Sequence, residues 1–142
     1  KDNVSLLQKC DLGTKMAVSS IDDVLDKLQN TKLRELLQKS KEHHEKLGNE
    51  LHELLLRHHA EIQDPGLMAK GMSWFKTNIK VSMGDDNDKT AADVMTDGCD
   101  MGIKTLRQYL NQYKDADHTA KAICCRLISI EETLRDDLRK HL

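Results

Sequence analysis

Five polar side chains, Ser40, His44, Glu50, Asp97 and Glu131, fall on or beside apolar helical stripes, and His44 and Glu131 both fall near the middle of those stripes. Carboxylates and imidazoles placed in a core must be paired or neutralised, since an isolated buried charge costs several kcal/mol. Brought together, they would form a hydrogen-bonded network, a mononuclear metal site or one wall of a pocket. His44, Glu50 and Glu131 are the candidate ligands of a non-standard metal site. The structural alternative is a network, or side chains that reach outward to water. A di-iron centre needs one Glu from each of two helices and a Glu-x-x-His from each of two others. Here the second helix offers Glu42-x-x-Glu45 and Glu50-x-x-Glu53, and the last offers Glu131 and Glu132 followed by Leu134 and Arg135. No metal and no cofactor are expected on that pattern.

The other reactive residues are read in the same way. His43, His44, His52, His58 and His59 crowd one segment, but the line Glu45, Asn49, His52, Leu56, His59 is mostly polar and reads as a solvated face. Cys10 and Cys124 come to similar height near one end, where they can meet as packed thiols or as a redox pair. No C-x-x-C and no zinc-like Cys/His spacing occurs. Asp86, Asp88, Thr90 and Asp97 match part of a calcium loop, but Ala91 stands where its turn needs Gly. Acids at that point instead suit a helix N-terminus. No Ser-His-Asp order, phosphate-cradling glycine loop or Cys-His dyad stands out, so no catalytic residue is assigned.

Helices must position these groups, because apolar residues recur at three- and four-residue steps almost from end to end. The spacing predicts helices over about 3–28, 31–62, 67–83, 88–115 and 118–142. Asp2 or Asn3 can cap the first, Asn30 or Thr31 the second and Asp88 the fourth. Asp64-Pro65-Gly66 ends the second helix, and Gly84-Asp85-Asp86-Asn87 ends the third. Gly98-x-x-x-Gly102 suits a close helix crossing. Four long amphipathic rods bury their stripes by forming an antiparallel four-helix bundle, all-α and in one domain, 1–142. Tight links within each helix pair and a short helix between the pairs describe a ferritin-like crossover. An up-down-up-down bundle with residues 67–83 as half of a broken helix is the alternative.

Composition narrows the function classes. Against 24 Asp and Glu stand 22 Lys and Arg, a formal charge of −2, which gives no global attraction to nucleic acid. No run approaches the ~20 apolar residues that span a bilayer. No basic-then-apolar leader precedes the first helix and the four cysteines are sparse, so a cytoplasmic setting is expected. Residues 67–83 carry Lys70, Trp74, Phe75, Lys76 and Lys80 without an acid. Such a helix either packs on its own bundle or lies on an anionic membrane surface.

Cys10 and Gly13, the Pro65-Gly66 break, the Met- and Trp-rich connector, Gly98-Cys99-Asp100-Met101-Gly102-Ile103 and the Glu131-Glu132 pair together resemble small bacterial ferritin-like proteins of unknown function. The resemblance implies the four-helix fold and a cytosolic setting, and no established activity or site. The function expected is a non-enzymatic interaction or scaffold module, as a homo-oligomer or with a protein partner. Its alternatives are a ferritin-like metal-binding protein with a non-standard site, or peripheral membrane binding through 67–83.

Overall fold

A computed structural model describes residues 1–60, 65–82 and 86–142. Among them the chain forms α1 (Asp2–Leu25), α2 (Thr31–Arg57), α3 (Pro65–Ser82), α4 (Asn87–Gln112) and α5 (His118–Leu138), ending in a 3₁₀ turn at Arg139–His141. No described residue lies in a strand. Among the described residues, no helix is long and apolar enough to cross a membrane.

Helix α1 packs on all four other helices, α5 also packs on α2 and α4, and α3 lies against α1 and α4. The register of these contacts is consistent. Rising positions on α1 meet falling positions on α2: Thr14 faces Gly48, the Lys41 ammonium lies 2.7 Å from Asp22, and Arg34 donates to the Leu25 carbonyl at 2.6 Å. On α4 and α5, Leu106 meets Cys124 and Asp100 meets Arg135. On α1 and α5 the positions rise together, with Asn3 meeting Asp117 and Gly13 meeting Leu127.

The apolar seams seal in two clusters. One gathers Leu6, Leu7 and Cys10 of α1, Leu47, Leu51 and Leu55 of α2, Ile103 and Leu106 of α4, and Ile123, Cys124, Leu127 and Ile128 of α5. The other joins Ile21, Val24, Leu33, Leu37, Phe75, Ile79, Met95, Cys99, Leu134 and Leu138. Each buried Leu or Phe removes enough apolar surface from water to contribute about 1.5–3 kcal/mol.

Helix ends differ from expectation for identifiable reasons. Helix α2 ends at Arg57, short of the predicted 62, because His59 turns the chain with φ 51°. The Ala60 amide then donates to the Leu55 carbonyl and the His59 amide to that of Leu56, the double closure of a Schellman cap. A glycine commonly takes that position, so a histidine there is hard to read as a stop. The predicted end at 62 and Asp64 of the predicted break lie outside the described residues, as do Met83, Gly84 and Asp85. Pro65 opens α3 as its first residue, where a missing amide hydrogen costs nothing.

Two expected caps serve other ends instead. Asp86, not Asp88, caps α4, accepting from the Lys89 amide at 3.0 Å. Asp88 reaches across to the amides of Gln29 at 2.9 Å and Asn30 at 3.1 Å, tying down the α1–α2 turn. Asp2 and Asn3 likewise leave their own helix uncapped and bind the backbone of Asp115 and the backbone and side chain of Asp117. Asn30 caps α2 as expected, with the Leu33 amide 2.9 Å away. Lys114 and Asp115, expected in the fourth helix, lie in the turn before α5, and Asp117 caps α5 through the Ala120 amide at 2.9 Å. The expected close crossing at Gly98 and Gly102 is not formed. A Cβ at Gly98 would meet Trp74 only at 3.9 Å, and one at Gly102 would meet nothing within 4 Å.

Candidate functional site

Between the two apolar clusters lies a polar layer. His44 sits on the buried stripe of α2, one turn after Ser40 and one before Leu47, and none of its surface reaches solvent. Its Nδ1 lies 2.8 Å from the Ser40 carbonyl, and its Nε2 lies 3.0 Å from Oε1 of Glu131 on α5. Both partners are acceptors, so each ring nitrogen is placed to donate and the imidazolium satisfies both. Burial pulls the His44 pKa down, but hydrogen bonding to Glu131, the Glu131 charge and the Ser40 carbonyl outweigh it. The net direction is upward from the ordinary value. A positively charged His44 is the state this geometry favours.

Cys99 on α4 completes the layer. Burial, the Glu131 charge and a hydrogen bond to Glu131 all push its thiol well above the usual range. It therefore stays a neutral thiol beside the same carboxylate, and thiol nucleophilicity, which requires the thiolate, is suppressed. Glu131 thus accepts from His44 on α2 and acts electrostatically on Cys99 of α4. Nearby on α1, Thr14 donates to the Asp11 carbonyl at 2.8 Å, and Asp11 pairs with Lys15 at 3.0 Å.

The order Ser40, His44, Glu131 resembles a hydrolase triad only superficially. The Ser40 hydroxyl lies 3.4 Å from Nδ1, while the carbonyl of the same residue holds that nitrogen at 2.8 Å. General-base catalysis needs a ring lone pair facing the nucleophile, and here the ring hydrogens face acceptors on both sides. The arrangement holds a proton and ties α2 to α5.

The remaining expected site residues are dispersed. Glu50 does not join His44; it forms a two-pronged pair with Arg126 at 3.0 and 2.7 Å on the exposed side of α2 and α5. The Arg126 hydrogen bond holds its carboxyl below the usual value. Asp97 is exposed on α4, and His43, His52, His58 and His59 are exposed. Among the described residues, no group of three or more His, Cys, Asp or Glu is placed to hold a metal ion. Lys70 and Lys76 point to solvent, Trp74 is half-buried, and Phe75 and Ile79 are buried in the core; the Lys80 side chain lies outside the described residues. Cys10 and Cys124 are wholly buried, while Cys125 is exposed. A shallow, open depression of about 400 Å³ lies along Cys125, Arg126, Ser129 and Ile130 of α5.

Sequence reading missed Cys99 and Arg126. A cysteine counts as apolar in a periodic stripe, which hid the first. Arg126 sits at the right distance to hold Glu50 only once the α2–α5 register is known.

The chain matches no protein-family model, no curated protein and no solved structure.

Proposed function

We propose that this chain is a non-enzymatic, cytoplasmic scaffold or interaction module of bacterial ferritin-like type. In this reading α1, α2, α4 and α5 make one antiparallel four-helix bundle, with α3 in the crossover. The cross-helix register supports it: positions run oppositely on α1 and α2 and on α4 and α5, and together on α1 and α5. Helices α2 and α4 then point the same way, which requires a connection that returns along the bundle. The up-down-up-down alternative would need them opposed.

The observation that carries the functional reading is the closure of His44. Its surface is wholly enclosed and both ring nitrogens face acceptors 2.8 and 3.0 Å away. The most chemically capable cluster in the fold is thus committed to holding helices, leaving function to surfaces. The metal-binding alternative would require Glu50 to leave Arg126 and His44 to give up a hydrogen bond. The membrane alternative would require α3 to withdraw Phe75 and Ile79 from the core. The charge balance gives nucleic acid no advantage as a partner, and four free thiols suit a reducing compartment.

Light scattering on size-exclusion peaks across a concentration series tests the reading, together with elemental analysis of untagged protein. Self-association without bound metal is the expected result. A monomer at every concentration counts against self-association. Stoichiometric iron, manganese or zinc that is lost in Glu131→Ala overturns the scaffold reading.

A further inference from the structure

Helices α1 and α5 lie side by side with one constant offset. Asn3 meets Asp117, 114 positions on, and Gly13 meets Leu127 at the same spacing. Cys10 and Cys124 share that offset, so the register alone brings them level. The approach is close there: a Cβ built on Gly13, one turn beyond Cys10, would lie 3.3 Å from a Leu127 methyl. Both thiols are fully buried, and Cys124 donates to the Leu106 carbonyl across 3.8 Å, which ties the pair to α4.

We infer that Cys10 and Cys124 form an oxidisable dithiol site that a small hydroperoxide converts to a disulfide joining α1 to α5. The Cys124 sulfur attacks one peroxide oxygen and breaks the O–O bond. With hydrogen peroxide this releases one water and leaves a sulfenic acid. The Cys10 sulfur then attacks the Cys124 sulfur, the S–S bond forms, the S–O bond breaks, and the hydroxyl leaves with the remaining thiol proton as a second water. Two thiols lose two electrons in total, and the peroxide gains them.

The two thiols differ in their surroundings: Cys124 and burial push the Cys10 thiol far above the usual range. At Cys124 the neighbouring Cys10 and the Arg107 charge outweigh burial, and the net direction is downward from the ordinary value. The other cysteines are poorly placed to compete. Cys99 keeps its proton beside Glu131, and Cys125 projects about 100° around the helix from Cys124, so a link between those neighbours would distort α5. Hydrogen peroxide is close to water in size and reaches the pair through local opening of the helix ends.

The test treats reduced, full-length protein with hydrogen peroxide, alkylates the remaining thiols after denaturation, and maps the links by mass spectrometry of a non-reducing digest. The expected product is a monomer that has lost two hydrogens, with Cys10 joined to Cys124 and with Cys99 and Cys125 alkylated. Cys125→Ser should form the same link at a rate within about twofold of the parent, as expected if Cys125 takes no part in the exchange. Cys10→Ser should abolish it; because the link is mapped directly in the unmutated chain, the result does not depend on that variant folding. The thermal midpoint of the oxidised protein should rise by about 10 °C, because the bond closes a loop of more than a hundred residues in the unfolded chain. Oxidation confined to Cys125, dimers joined through Cys125, a link involving Cys99, or a lower midpoint on oxidation would each overturn the proposal.

Discussion

The ends of this bundle and its waist are built on opposite principles. At the ends, Leu6, Leu51 and Leu127 in one cluster and Ile21, Leu37 and Leu138 in the other are almost wholly withdrawn from water and stabilise by non-directional burial. At the waist, His44 meets the Ser40 carbonyl at 2.8 Å and Glu131 at 3.0 Å. Apolar seams tolerate sliding, since one leucine replaces another after a turn. A charged imidazole with an acceptor on each side does not, because a shift of one turn would strand it without partners. The contrast teaches that the ends supply most of the stability and the waist selects one register among several that the ends would accept.

The sharpest way to break this comparison is Glu131→Leu. Removing the carboxylate leaves His44 buried with one unmatched donor, and the expected loss is about 4 kcal/mol by urea unfolding. Adding His44→Leu should restore the protein to within about 1–2 kcal/mol of the parent, because a matched apolar pair no longer strands a charge. A loss below about 1 kcal/mol in the single variant would mean that the pair is not closed.

At an end, Leu51→Ala should lose about 3 kcal/mol through lost burial and a residual cavity. A second substitution nearby should not rescue it, in contrast to the waist. Glycine substitutions sharpen the contrast with smaller effects. Gly13→Ala presses a methyl group to 3.3 Å from Leu127, which is itself enclosed, and should cost about 1–2 kcal/mol. Gly102→Ala faces nothing within 4 Å and should gain up to about 1 kcal/mol from helix propensity, read as a higher urea midpoint with an unchanged slope.

The helical period shows where the chain buries itself, and Ser40, His44 and Leu47 already stand on one stripe in the sequence. The meeting of His44 with Glu131 was legible to that extent: both are polar residues on apolar faces at similar height. Glu50 was also placed on or beside an apolar stripe, yet it turns outward to Arg126, because it directly precedes Leu51 and so projects about 100° around the helix from that buried residue. Periodicity assigns a face and not a partner. The early end of α2 was hidden for a local reason, since His59 adopts a left-handed backbone that a glycine usually signals. Asp88 does not cap α4 as expected; it holds the Gln29 and Asn30 amides of the turn before α2, a pairing that local sequence hides because those amides are nearly sixty positions away.

The central claim is that His44 is held as a buried cation by Glu131 and the Ser40 carbonyl, and NMR titration of its ring resonances tests it most directly. Its pKa in the folded protein should lie above the ordinary value of about 6.5. The folded state then binds the proton more tightly than the unfolded chain. The added stability is complete below about pH 6.5 and is lost as pH rises through the folded pKa, so in that window unfolding free energy should fall with rising pH. In Glu131→Gln, which keeps an acceptor but no charge, the pKa should drop and the pH dependence should flatten. A His44 that titrates at or below about 6.5 in the parent, with stability unchanged or rising through that window, would contradict the account.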